Sequence, residues 1–339
     1  MEQEQMKMLR ENIDEFCTRN IADMAQRIEN TGIPQDLVAK LAEQGFLGSR
    51  ISPENGGSGL DDDSYRIVLE RIARSSPSVS MMIFLENSIF APLYRTNGMQ
   101  NHEIASGTRT GTACIFDYVA GFADSVNIRS GKAYGTVRYS LMSDADYFLV
   151  PSEKSIYLVS GKPGRTDLPR LGFRGLQYSG LEFDGADAER IDEDAYRMID
   201  EVLEAASKDI AAIAIGMAGS TIEKAMEYSK VRTTFGKPLK DYSPVAFNLS
   251  DLKSQIDEAR NLLYSADSDP LSVKIMAIDL ARRSSRLSLQ IHGGYGYLED
   301  FGVEKFYRDA MALSVFFGTR SADLKALSQK MYGENAGSI

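Results

Sequence analysis

Histidine is nearly absent from this chain: His102 and His292 are the only two in 339 residues. A His-based zinc site or a Ser-His-Asp triad therefore has little material. Cysteine is equally scarce. Cys17 and Cys114 form no spacing that suggests a metal site or a disulfide framework. Basic residues are outnumbered, with Lys+Arg 38 against Asp+Glu 48 and a net charge of -10. General nucleic-acid binding needs a basic face, so that class is excluded, while a local basic pocket for a phosphate is not. No apolar run is long enough to span a bilayer, and no basic segment with an apolar stretch opens the chain. A cytoplasmic protein without a membrane segment is expected.

What is present is an ordinary globular balance, 43% hydrophobic and 25% charged, at a length that allows two or three domains. Leu9, Ile13, Phe16, Ile21, Met24 and Ile28 follow helical spacing. Ile33-Pro34 opens a second helix with Leu37, Val38 and Leu41. Ser52 to Leu60 reads as a loop, and Asp61-Asp62-Asp63-Ser64 supplies N-cap chemistry for a helix carrying Ile67, Val68, Leu69 and Ile72. Ser78 to about Tyr94 is apolar nearly all round, which predicts a buried helix.

The period changes near Gly111. Ile128 to Lys132 reads as a hairpin turn. Segments 136–139, 147–150, 155–159 and 180–184 read as strands. Beyond them three seams repeat at alternating four and three: Ile199 to Met217, Val245 to Leu263, and Val273 to Ile291. That is the period of a helical bundle. Ser243-Pro244 and Asp269-Pro270 read as an N-cap followed by Pro at the first helical position. One final helix is expected to hold Leu313, Val315, Phe316, Leu324, Leu327 and Met331. The expected domains are 1–110 (α-helical), 111–186 (a small β domain) and 187–339 (a four-helix bundle), an α+β multidomain chain.

Two segments stand out chemically. In Gln290-Ile291-His292-Gly293-Gly294-Tyr295-Gly296-Tyr297, glycines halt a long helix and let backbone approach a ligand closely. A plain helix cap uses the same residues. In Arg232-Thr233-Thr234-Phe235-Gly236-Lys237-Pro238-Leu239, between two long helices, the Arg is available for a phosphate. It could equally be a solvated loop residue. Together with Val303-Glu304-Lys305 leading to Arg308-Asp309-Ala310, these segments resemble the acyl-CoA dehydrogenase family in order and separation. The Gly45-Phe46-Leu47-Gly48 and Pro53 to Leu60 segments are similar to its first domain. Leu171-Gly172-Phe173-Arg174-Gly175 and Leu181 to Asp184 look like the end of its β domain.

The resemblance implies that fold, and an FAD-dependent oxidoreductase acting on CH-CH bonds of an acyl-CoA or related thioester. It implies a homodimer or homotetramer, because the AMP half of FAD reaches a neighbouring subunit. It leaves the electron acceptor open. By position, Arg232 would contact the pyrophosphate, with Phe235 beside it. Gln290, Gly293 and Gly294 would take the adenosine-diphosphate side from the partner subunit, and Thr319 would sit at the cofactor.

Departures from the family are as informative. Its catalytic Glu, just before the Gly-Thr pair, is here Phe317, which cannot transfer a proton. The alternative position on the first bundle helix is Ala206, next to Ser207. Glu204 and Asp209 lie nearby without matching the motif; Glu204 should face elsewhere. The family's flavin loop falls near Phe116 to Asp124 with only fragments kept, and its Trp-Ile-Thr strand is Tyr139-Ser140-Leu141. The expectation is a family oxidoreductase with a non-standard base. The alternatives are a catalytically inactive relative used for binding or assembly, and a flavin oxidase or monooxygenase.

Overall fold

The structure is a computed structural model that describes residues 3–94, 99–123 and 125–333. The first part is helical: α1 (Gln3–Asn20), α2 (Ala25–Thr31), α3 (Gln35–Glu43), α4 (Asp62–Ala73), α5 (Pro77–Phe84), α6 (Ala91–Tyr94) and α7 (Met99–Ala105). Asp61 caps α4 by accepting from the Ser64 amide at 2.8 Å, as its acidic run predicts. All of α5 is buried. The helix expected through Tyr94 instead passes through a π-helical stretch, Leu85–Phe90, an irregularity that periodicity does not reveal.

The described residues next form a seven-stranded sheet. Its strands are β1 (Gly111–Ala113), β2 (Val126–Arg129), β3 (Lys132–Leu141), β4 (Tyr147–Ser152), β5 (Ser155–Ser160), β6 (Gly164–Asp167) and β7 (Tyr178–Asp192). Their order is β1-β4-β5-β7-β3-β2, with β6 also paired to β7. Only the β1–β4 pairing is parallel. A short helix, α8 (Phe116–Val119), sits between β1 and β2.

The remainder is helical: α9 (Ala195–Ala205), α10 (Ser207–Val231), α11 (Ser243–Leu263), α12 (Pro270–His292), α13 (Glu304–Phe316) and α14 (Arg320–Tyr332). The seam residues Leu249, Leu252, Ile256, Ala259 and Leu263 are buried, as are Val273, Ala277, Leu280, Ser284 and Ile291. α10 is the central helix and packs against α4, α11 and α12. Asp269 caps α12 by accepting from the Ser272 amide at 2.8 Å. Ser243, by contrast, is already inside α11, and its cap position is Tyr242.

Two helix expectations need correction. The seam from Ile199 to Met217 spans two helices that meet at Ala206. The final helix is also two, split at Phe317-Gly318-Thr319. Gly318 adopts φ +102, and an added Cβ there would lie 3.2 Å from Asp323 Oδ1. Thr319 then starts α14 by accepting from the Ala322 amide at 3.3 Å. A left-handed glycine followed by a capping threonine ends one helix and begins the next.

Buried polar contacts join the parts. Asp309 Oδ1 accepts from the Phe173 amide at 2.5 Å. Arg308 reaches Glu29 and the Leu171 carbonyl, both at 3.3 Å. Gly175 donates to Ser78 Oγ at 3.2 Å. The Leu171–Gly175 and Arg308-Asp309 motifs are thus one clamp between the sheet, α13 and the first helices.

Glu86, in the π-helical stretch, is fully buried, and neither carboxyl oxygen has a hydrogen-bond partner among the described residues. Burial pushes its carboxyl well above the ordinary range. A carboxyl whose folded pKa is raised holds more protons folded than unfolded, so stability falls as pH rises above the unfolded value of about 4.3. Glu86→Gln should therefore raise the melting temperature at pH 7 and lose that advantage below about pH 4. A pH-independent difference in thermal melts would contradict the assignment.

Candidate functional site

α10 ends at Arg232, whose extended backbone leads into a small hairpin. Phe235 and Gly236 form its tip. Phe235 is 100% exposed and adopts φ +46. A bulky side chain in left-handed backbone costs roughly 1–3 kcal/mol, and such strain concentrates at ligand contacts and switches. The Arg232 guanidinium carbon lies 5.9 Å from the Tyr295 ring centroid, and no ion pair engages it among the described residues. The hairpin of one chain therefore meets the glycine turn of the same chain.

That turn begins where α12 stops. Gly293 has φ +59, and an added Cβ on Gly293 or Gly294 would meet nothing within 4 Å. Their backbone faces open space. Gln290 is exposed in the last helical turn. Tyr295 is partly exposed and Tyr297 is 85% exposed. Behind the turn His292 stacks on Tyr228 at 4.3 Å and bonds the Ser288 carbonyl through Nδ1 at 2.8 Å. Burial lowers its proton affinity. It is a neutral core residue that holds the turn.

The Phe317 segment is built oppositely. Phe317 is 3% exposed. Its ring packs edge-on against Phe84 at 5.0 Å and lies 5.6 Å from Phe116. Phe316 touches Phe116, Phe173 and Tyr178 at 5.5, 6.0 and 5.9 Å. Tyr178 in turn stacks on Tyr139 at 6.3 Å. Aromatic rings from α5, α8, the sheet and α13 thus share one cluster. Lys274 fixes the segment from below, donating to the Phe317 carbonyl at 2.6 Å and to Asp323 at 2.9 Å.

The expected site residues thus fall into two groups. Lys274 holds Phe317 near the start of α12, and Gly293 lies past its end. From Lys274 to His292 the helix is about 27 Å long, at ~1.5 Å per residue. Thr319, an exposed cap, belongs to the first group; Arg232, Phe235, Gln290, Gly293 and Gly294 belong to the second.

The carboxylates near the second base position are both committed. Glu204 is exposed and pairs with Lys330 at 2.6 Å. Asp209 is fully buried, with Arg50 and Arg66 each at 3.2 Å and Ser88 donating at 3.0 Å. Burial raises its pKa and the two guanidiniums oppose that. Its oxygens are acceptors in a structural network and not a free base. Ala206 is buried, and Ser207 donates to the Leu203 carbonyl at 3.1 Å. Sequence reasoning missed Arg50 and Arg66, the unpartnered carboxyl of Glu86, and the packing of Phe84 and Phe116 against Phe317. No local pattern marks those contacts.

The stretch matching the family's flavin loop is largely α8, a helical turn. Asp117 Oδ2 accepts from the Arg138 amide at 3.0 Å; Asp124 lies outside the described residues. Ser140 donates to the Leu141 carbonyl at 3.1 Å. A dinucleotide therefore fits the two ends differently. The hairpin and glycine turn present an uncommitted guanidinium and open backbone that suit a diphosphate. The aromatic segment offers rings, among them the phenols of Tyr178 and Tyr139, and no carboxylate at position 317.

Comparison with known proteins agrees with this architecture. Residues 3–102 match the acyl-CoA dehydrogenase N-terminal domain and 197–331 the C-terminal domain. An acyl-CoA dehydrogenase of Bacillus subtilis (strain 168) is 26% identical, over 98% of each chain. Butyryl-CoA dehydrogenase from Megasphaera elsdenii superposes with a TM-score of 0.85 at 24% identity, covering 96% of this chain and 97% of that one. A glutaryl-CoA dehydrogenase from Mycobacterium smegmatis, solved in complex with FADH2, superposes at 0.89 with 16% identity, covering 99% and 96%.

Proposed function

Because the chain belongs to the acyl-CoA dehydrogenase family, we propose that it is an FAD-dependent oxidoreductase whose chemistry does not run through a carboxylate at position 317. The observation that carries this reading is the contrast between the open Arg232–Tyr295 face and the packed ring of Phe317. Arg232 would hold the diphosphate, with Phe235 packed beside it. The open backbone at Gly293 and Gly294, with Gln290, would take the adenosine side. When bound, FAD would supply a two-electron acceptor. The substrate class is an acyl thioester or a relative of one, following the names of the similar proteins.

The length of α12 separates Thr319 from the glycine turn, which supports a site completed by a second copy. The exposed Phe235, Phe247 and Tyr297 give that copy an apolar face. A homodimer or homotetramer is the corresponding assembly. A cytoplasmic location goes with the chain's acidic balance; among the described residues no helix is long and apolar enough to cross a membrane. A second reading, a catalytically inactive relative used for binding or assembly, draws on the rings gathered around Phe316 and Phe317.

The test is the visible spectrum of the purified protein. Wild type should carry or take up FAD. Arg232→Ala should weaken FAD binding by about 1.5–3 kcal/mol, the cost of a lost charge-assisted hydrogen bond. Equal occupancy in both would remove Arg232 from the site. A colourless protein that cannot be reconstituted would leave the second reading. Light scattering on the loaded protein should give a dimer or tetramer; a monomer with full FAD would sink the shared site.

A further inference from the structure

A second cleft opens well away from the Phe317 segment, between α1, α4, α10 and the residues that lead into α13. Its volume is about 560 Å³, within the range of small-molecule sites. It meets α13 at Lys305 and Phe306, near the helix start, while Phe317 follows its end. We propose that this cleft binds a small polar molecule through a carboxylate or phosphate group, held by Lys224, Lys305 and Gln26.

The charges on its walls are unevenly satisfied. Arg71 forms a two-pronged pair with Asp14, with Nε to Oδ1 at 2.6 Å. Arg74 is engaged by Glu223. Lys305 is buried and donates to the Ser75 carbonyl at 2.9 Å. Glu29, Asp309 and Glu304 also act on Lys305 electrostatically. Lys224 makes no hydrogen bond or ion pair among the described residues; Glu304 acts on it only at longer range. The amide of Gln26 has both ends buried, and neither is satisfied among the described residues.

Those unmet groups define the ligand. A buried amide without partners is costly and calls for a molecule that both donates and accepts. Lys224 and Lys305 both line the cleft, and the charge of Lys224 disfavours the Lys305 ammonium. One anionic group placed between them would relieve that repulsion and gain charge-assisted hydrogen bonds. Glu299 and Asp300 stand exposed along the lining, which disfavours polyanions and favours a ligand with a single anionic head.

Inorganic phosphate and acetate serve as probes, measured by titration calorimetry. The chain used is Arg232→Ala, so that the glycine-turn face does not add a second phosphate site. At least one probe should bind at one site per chain. Adding Lys224→Met should weaken it about tenfold or more, the loss of one charged hydrogen bond. Gln26→Leu should weaken it as well, and Lys132→Met on the sheet should not. Lys224 is solvent-exposed, so its replacement should fold, which a thermal melt checks. Failure of both probes to bind, or binding unchanged by Lys224→Met and by Gln26→Leu, would overturn the proposal.

Discussion

Phe317→Glu should destabilise the protein strongly and confer no acyl-CoA dehydrogenation. The ring lies 5.0 Å from Phe84 and 5.6 Å from Phe116, and the residue is almost fully buried. Deleting a buried aromatic alone costs ~3–5 kcal/mol. A glutamate adds the cost of desolvating a carboxylate without a partner. The nearest cation, Lys274, is already shared between the Phe317 carbonyl and Asp323. Phe317→Leu keeps an apolar group and should cost much less. Chemical denaturation of both variants, with acyl-CoA-dependent bleaching of bound flavin, reads the two effects separately. If Phe317→Glu kept wild-type stability and bleached flavin, a usable pocket would exist there and the packing role would fail. Robust bleaching by the wild type with a dehydrogenated product would place the base elsewhere on the chain.

Asp209→Ala should be comparably damaging, for an electrostatic reason. It would remove the one buried carboxylate that Arg50 and Arg66 share. Asp62 and Asp63 would remain, at the exposed end of the network. Breaking one partner of a buried ion pair costs ~3–5 kcal/mol because the remaining charges lose their compensation. Glu204→Ala, by contrast, removes an exposed pair with Lys330 and should cost at most about 1 kcal/mol. Urea unfolding of the two variants makes the comparison. An Asp209→Ala protein with wild-type stability and abolished turnover would mean that Asp209 acts as the base.

These two carboxylates show how far local pattern reaches. Rotation along a helix implies that Glu204 points away from the second base position; its pairing with Lys330 comes only from the fold. Nothing local separates Asp209 from an available base. Its partners Arg50 and Ser88 stand 159 and 121 residues away, and only folding brings them together. Glu86 lies in a stretch whose apolar neighbours predict burial, but nothing local shows that its carboxyl oxygens are left without partners among the described residues.

Periodicity and turn chemistry act between residues a few positions apart, so they are written into the chain. The seams of α11 and α12, the hairpin at Ser130-Gly131 and the Asp61 and Asp269 caps follow from them. So does the Arg232 turn, because its motif is contiguous. The absence of a titrating group at Phe317 needs no structure either. What that side chain does instead is a tertiary matter. Phe84, Phe116, Phe173 and Phe316 come from separate elements, and whether they leave a chamber or close it depends on packing. At Gly318 the space that a Cβ would take is bordered by Asp323 and Lys274, neighbours that only folding supplies. The two-part division of the candidate site depends on the length of α12. Contacts between residues far apart in the chain have no local signature, because their energy arises only once burial has removed water from around them.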